Sequence, residues 1–153
     1  MANVLLYLAK HFAVSTNPQS LLDEAMPSGS TEWDYNKIKT ISFIDEIIHE
    51  TLYLRTAVMT GGYRITPAQG TQVDGVHFPG DMSAFVPVQA IQTDERYYKQ
   101  SREFIPKRWG ERKQELQVED APFMSFSLGP YNCLGKNLAL FSLRISVSIL
   151  TQI

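Results

Sequence analysis

The chain has 153 residues, 44% of them apolar and 20% charged, with a formal net charge of −2. This is the composition of an ordinary globular domain with enough apolar side chains for one core, and without a basic tract it offers no footing for a nucleic acid. The single cysteine excludes an internal disulfide and a cysteine-built zinc site.

Asn3 to His11 reads as a short apolar helix, the tail of a longer one cut at Met1. Its core, Val4-Leu5-Leu6-Tyr7-Leu8-Ala9, is too short to span a bilayer and lacks the flanks of a signal peptide, so no membrane segment and no cellular address is legible. Pro18 and the cluster Pro27-Ser28-Gly29-Ser30 predict breaks around a second helical stretch from Gln19 to Ala25. Ile38, Ile41, Ile44, Ile48 and Leu52 then recur at steps of three and four, which predicts an amphipathic helix whose stripe is core. Ser42 with Asp45 forms a capping pair for its start, and the helix should run to about Leu54, before Gly61-Gly62. Helices thus fill 1–55.

Beyond the two glycines the pattern changes to strands, a small sheet over 63–88. Tyr63 to Thr66 is short and extended, and Thr71 to Phe78 is interrupted by Asp74-Gly75, a two-residue hairpin signal. Pro79-Gly80 turns the chain, and Ala84 to Val88 reads as another strand. Residues 93–120 are polar, contain Pro106 and mixed charges, and read as a long loop with helical scraps; a loop this long packs against something or carries function. A last helix over 137–153 places Leu138, Phe141, Ile145 and Ile149 on one core stripe and stops at Ile153 without glycine or proline, as in a fragment. The expected fold class is mainly α with a small antiparallel β-sheet, in one partial domain over 1–153.

The chemistry concentrates in the loop 126–135, Phe126-Ser127-Leu128-Gly129-Pro130-Tyr131-Asn132-Cys133-Leu134-Gly135. A lone cysteine by itself reads as a small buried hydrophobe. Here it lies between glycines, after an aromatic and ahead of an apolar helix, where a thiolate serves as a soft ligand for a metal that something other than protein also holds. A helix beginning near Leu134 would set partial positive charge and free backbone N–H groups beside the sulfur. Gly129 and Gly135 would let backbone approach a flat group closely, and Phe126 would restrict water near the sulfur. His11, His49 and His77 have no ligand spacing, and none is spaced from Cys133 as the base of a cysteine hydrolase would be.

The spacing F-x-x-G-x-x-x-C-x-G resembles the heme-binding loop of the cytochrome P-450 family, whose cysteine sulfur is the axial ligand of heme iron. Further segments agree in order. Glu50-Thr51-Leu52-Tyr53 stands where the family carries E-x-x-R, the hairpin Val73–Gly80 is similar to a short sheet segment, and Phe104-Ile105-Pro106-Lys107-Arg108-Trp109 looks like F-x-P-x-R-[FW]. The resemblance covers roughly Ile38 to Leu150 and is closest to fungal members. It places the chain as the last third of a cytochrome P-450-type fold, after the long helix that crosses the distal face of the heme.

That resemblance implies heme b with its axial thiolate from Cys133, Phe126, Gly129 and Gly135 around it, and Tyr131 and Arg64 toward the propionates. Arg64 read alone is equally a solvated strand residue. Glu50 and Arg108 would form a structural network. The implied activity is dioxygen-dependent oxidation of a small organic substrate, with electrons from an NADPH-dependent reductase docking near Lys107, Arg112 and Lys136. Family members are often anchored to the endoplasmic reticulum membrane. The alternative is a truncated, non-catalytic remnant lacking the distal helix and substrate loops.

Two positions depart from the pattern. Tyr53 replaces the E-x-x-R arginine, so Glu50 would lose a cation and be costly to bury or partly protonated. Arg55 is no substitute, being about 140° from Glu50 around the helix. Tyr131 stands where most members carry an arginine; a phenol donates one hydrogen bond but neutralises no charge.

Overall fold

The computed structural model describes residues 1–25 and 34–151; the Pro27–Ser30 cluster and the end at Ile153 lie outside them. The chain opens with α1 (Ala2–Lys10) and α2 (Phe12–Ala25). Pro18 lies inside α2 rather than at its start. A proline removes one backbone donor from a helix interior, and here the surrounding packing outweighs that loss, with Leu22 fully buried and α2 set against α7 (Lys136–Thr151) further along the chain.

The expected helix from Ile38 is two helices. In α3 (Tyr35–Ile38) the Asp34 carboxylate caps the start by accepting from the Asn36 N–H at 2.8 Å. Then α4 (Ser42–Leu54) begins at Ile41 with no side-chain cap. The Ser42–Asp45 capping pair is therefore not made: Asp45 is bound by Arg144 of α7, with Nε–Oδ1 at 2.5 Å and Nη2–Oδ2 at 3.0 Å. A guanidinium fork outcompetes a backbone N–H for a carboxylate. Ile38, Ile44 and Ile48 are buried and Ile41 and Leu52 pack against them, so this stripe is core.

Two short antiparallel ladders follow instead of one sheet. β1 (Arg64–Ile65) pairs with β4 (Ser83–Ala84), and β2 (Thr71–Val73) pairs with β3 (Val76–Phe78). Asp74 and Gly75 turn the hairpin at φ of 49° and 76°, the double left-handed turn that Asp-Gly supplies. The strand expected over Ala84 to Val88 ends at Ala84, and Val88 opens α5 (Val88–Gln92). Val88 and Gln92 are buried, and Gln92 is committed to side-chain bonds that a strand would not direct.

The stretch 93–120 is held as a loop with a 3₁₀ turn at Pro106–Trp109 and one helical turn, α6 (Lys113–Leu116). The 3₁₀ turn packs on α4. Tyr7 of α1 stacks on Phe104 with centroids 4.6 Å apart. Finally, α7 lies across α4 and α2. Its buried face carries Leu140, Val147 and Ser148, with Arg144 between them on the ion pair to Asp45. Most of the stripe expected there is turned outward: Leu138, Phe141 and Ile149 are exposed while Ile145 is half-buried, and Phe141 meets Tyr35 edge-on at 4.7 Å. An apolar count favours the wrong face because the buried one includes an arginine and a serine. No described helix is long and apolar enough to cross a membrane.

Candidate functional site

The region divides into a buried network beneath α4 and an exposed loop before α7. Glu50 sits on the inner face of α4 with no solvent exposure, and neither has Arg108 in the 3₁₀ turn. The carboxylate accepts from the Ile105 N–H at 2.7 Å and the Trp109 indole N–H at 2.7 Å, and Arg108 Nε lies 3.3 Å from Oε2 and 3.4 Å from Oε1. The remaining guanidinium nitrogens donate to the carbonyls of Lys99 (2.5 Å), Gln100 (2.7 Å) and Leu116 (3.4 Å). One arginine thus ties the helix to three points of a loop that has little secondary structure of its own. Burial pushes the Glu50 carboxyl up to about 7, and the Ile105 N–H, Arg108 and Trp109 pull in the other direction without cancelling it.

Tyr53 is a fully buried part of this network. Its hydroxyl donates to the Ser101 carbonyl at 2.8 Å, and its ring lies with the Arg108 Cζ 5.2 Å from the centroid. Glu50 is therefore not left short of partners, as the lost arginine suggests: Trp109 and a backbone N–H fill its lone pairs, and Tyr53 serves the guanidinium. Arg55 ends α4 exposed and does not join.

Two residues that sequence reasoning passed over complete the support. Gln92 is fully buried, donates to the Tyr53 carbonyl at 3.2 Å, and accepts from the Met124 N–H at 2.6 Å. The Ser125 hydroxyl donates to the Leu52 carbonyl at 2.8 Å. Together they clamp the segment ahead of Phe126 to the end of α4. Gln92 carried no signal, lying between the expected strand and the expected loop in residues assigned to neither. Trp109 carried one, since a buried indole N–H needs an acceptor.

The loop itself faces outward. Cys133 is a free, exposed thiol, not the small buried hydrophobe a lone cysteine suggests. Its N–H donates to the Phe126 carbonyl at 2.8 Å and its carbonyl accepts from the Lys136 N–H at 3.2 Å, so backbone bonds on both sides fix it. The helix opens at Lys136 rather than near Leu134, which is fully exposed. A 3₁₀ turn over Gly129–Tyr131 shapes the approach, with Ser127 and Gly129 at φ of 63° and 65°. A Cβ on Gly129 would meet nothing within 4 Å, so that glycine serves the turn; a Cβ on Gly135 would be in ordinary contact with the Cys133 Sγ at 3.9 Å. Phe126 packs partly into the core, and the Lys136 Nζ is 6.0 Å from its ring.

Arg64 and Tyr131 come together from β1 and the loop: the guanidinium carbon lies 4.3 Å over the phenol ring. Arg64 also borders a hollow of about 380 Å³ lined by Ile65, Val73, Phe78 and Phe85. Lys107 and Arg112 are already matched by Glu111 and Glu115, each at 2.6 Å, which leaves Lys136 alone of the three expected docking cations without a carboxylate partner shown. Among the described residues no three His, Cys, Asp or Glu side chains gather as a metal site.

The cytochrome P450 family model matches residues 1–152. A cytochrome P-450 monooxygenase, eupD, of a Phoma species is 44% identical over 148 residues, covering 97% of this chain and 50% of that protein. The monooxygenase phqL of Penicillium fellutanum is 34% identical over 88% of this chain and 24% of its own length. Tryprostatin B 6-hydroxylase of Aspergillus fumigatus is 29% identical over 97% of this chain and 26% of its own. The chain spans half the length of the first and about a quarter of the other two. With the Glu50–Arg108 network and the cysteine loop in their family order, and a family match over nearly every residue, the chain belongs to the cytochrome P-450 family.

Proposed function

We propose that Cys133 is the axial thiolate ligand of heme b, and that the chain contributes the ligand side of a P-450-type oxidation of a small organic substrate. The observation that carries this is an only cysteine held open to solvent by two backbone hydrogen bonds, with a glycine beside its sulfur. The residues present fit such a group. Leu128, Tyr131 and Leu134 of the same loop are exposed, apolar surface available to a flat macrocycle. Gly135 adds no side chain beside the sulfur, and Arg64 with Tyr131 offers a cation and a phenol donor for carboxylates of the heme.

Bound heme would supply the redox chemistry, in which two electrons from an NADPH-dependent reductase, two protons and dioxygen give one oxygen atom to substrate and one to water. The chain's own tasks are narrower. Cys133 must lose its proton to ligate. Phe126 and the clamp through Gln92 and Ser125 hold the loop at a fixed height above α4. The relatives named as monooxygenases and as a hydroxylase support the reaction class.

A second reading is a non-catalytic remnant of such an enzyme, with weak or no affinity for heme and no turnover of substrate. Both readings are tested on the purified chain with hemin. A carbon monoxide complex of the reduced protein with a far-red Soret band, lost in Cys133→Ser, is the expected result; no bound heme overturns the ligand assignment. Substrate oxidation with a reductase then separates an enzyme from a non-catalytic remnant.

A further inference from the structure

Arg108 is a fully buried cation with its edges committed. Nε meets Glu50, and the two Nη atoms meet the carbonyls of Lys99, Leu116 and Gln100. With those edges bonded, the guanidinium carbon still lies over the face of the Tyr53 ring, 5.2 Å from its centroid. The ring is itself fixed on three sides. Its hydroxyl donates to the Ser101 carbonyl at 2.8 Å, and the rings of Tyr98 and Trp109 stand 4.7 and 5.8 Å away.

We propose that Tyr53 is a positioning residue: its ring face holds the Arg108 guanidinium against Glu50, while its hydroxyl pins the same loop at Ser101. An aromatic face attracts a desolvated guanidinium without adding a second buried charge. The arrangement leaves Glu50 with a single cation, in keeping with a carboxyl pushed up to about 7 by burial. The inference needs no heme and stands or falls apart from the function proposed above.

The other groups that could set the state of Glu50 are few. On its own helix Glu46 lies one turn earlier, pushed up by burial and by Glu111, and His49 turns its ring onto Trp109 at 5.7 Å. From the loop come Tyr98, pushed up to about 12 by burial, and Glu95, whose charge reaches Tyr53. From the 3₁₀ turn, Lys107 is paired with Glu111. Arg144 of α7 is committed to Asp45, His11 at the end of α1 lies tilted against Phe104 with centroids 5.0 Å apart, and α5 contributes the amides of Gln89 and Gln92.

The test reads Glu50 directly. The full 153-residue chain is labelled at glutamate 13Cδ, the Glu50 resonance is identified by its loss in Glu50→Gln, and its midpoint is followed against pH. The wild-type midpoint should lie near 7. Tyr53→Phe keeps the face and should leave it unmoved. Tyr53→Leu, and Tyr53→pentafluorophenylalanine with its ring charge reversed, should raise it by roughly half a pH unit or more. The fluorinated ring keeps the shape of the Phe variant, so this pair decides the matter even if Tyr53→Leu fails to fold. Equal midpoints in the Phe and pentafluoro variants overturn the proposal and leave Tyr53 a filler of space. So does a Glu50 that titrates with free glutamate in the wild type.

Discussion

The buried network and the exposed loop both derive from family motifs, yet they spend their polar groups in opposite ways. Around Glu50 and Arg108 the protein's own atoms meet the charges: two N–H donors and a guanidinium for the carboxylate, three carbonyls and an aromatic face for the cation. Around Cys133 the backbone is bonded and the side chain is left over. A network that closes on itself supplies shape. A loop that fixes its backbone while exposing one soft ligand has its remaining capacity available to another group.

This difference is broken most severely at Arg108. Arg108→Ala strands a buried carboxylate and three carbonyls and should cost about 3–5 kcal/mol, read as a drop in urea midpoint. Arg108→Lys should restore little of it, since an ammonium lacks the fork that reaches all of these acceptors.

The next effect is on pH. The folded-state carboxyl of Glu50 is raised to about 7 from 4.5, so the folded chain holds its proton more tightly than the unfolded one. Its contribution is fully present below pH 4.5, falls as pH rises through that window, and is lost above 7. Measured against Glu50→Gln, the melting temperature of the wild type should therefore decline across this range.

Trp109→Phe keeps the ring contacts with Phe123 and Tyr53 but removes the 2.7 Å bond to Glu50. A lost hydrogen bond to a charged group costs about 1.5–3 kcal/mol, again seen by denaturant titration.

The smallest effect on stability belongs to the loop. Cys133→Ser changes an exposed side chain and should shift unfolding by no more than about 0.5 kcal/mol. The same variant should abolish the thiolate spectrum with hemin. A large loss of stability in Cys133→Ser would show that the sulfur is part of the fold, and would erase the contrast.

Legibility in the sequence followed the same division. The stripe of α4 and the Asp-Gly hairpin were visible because they rest on local periodicity and on one turn's dihedral demands. The rotation of α7 was not: its buried stripe runs through Leu140, Arg144 and Val147, and an arginine in that stripe makes sense only once Asp45 stands opposite. Likewise Asp45 looked like a cap, because nothing nearby in sequence competes for it.

By itself the sequence determined the chemistry on offer: one thiol, its glycines, and the residues able to form a carboxylate–guanidinium network, since these depend on residue type and spacing. Only the tertiary structure decided how the missing arginine is covered, because Tyr53, Trp109 and Gln92 act on partners far along the chain. A buried charge is satisfied by whatever the fold brings within about 3 Å of it, and separation along the chain carries no record of that.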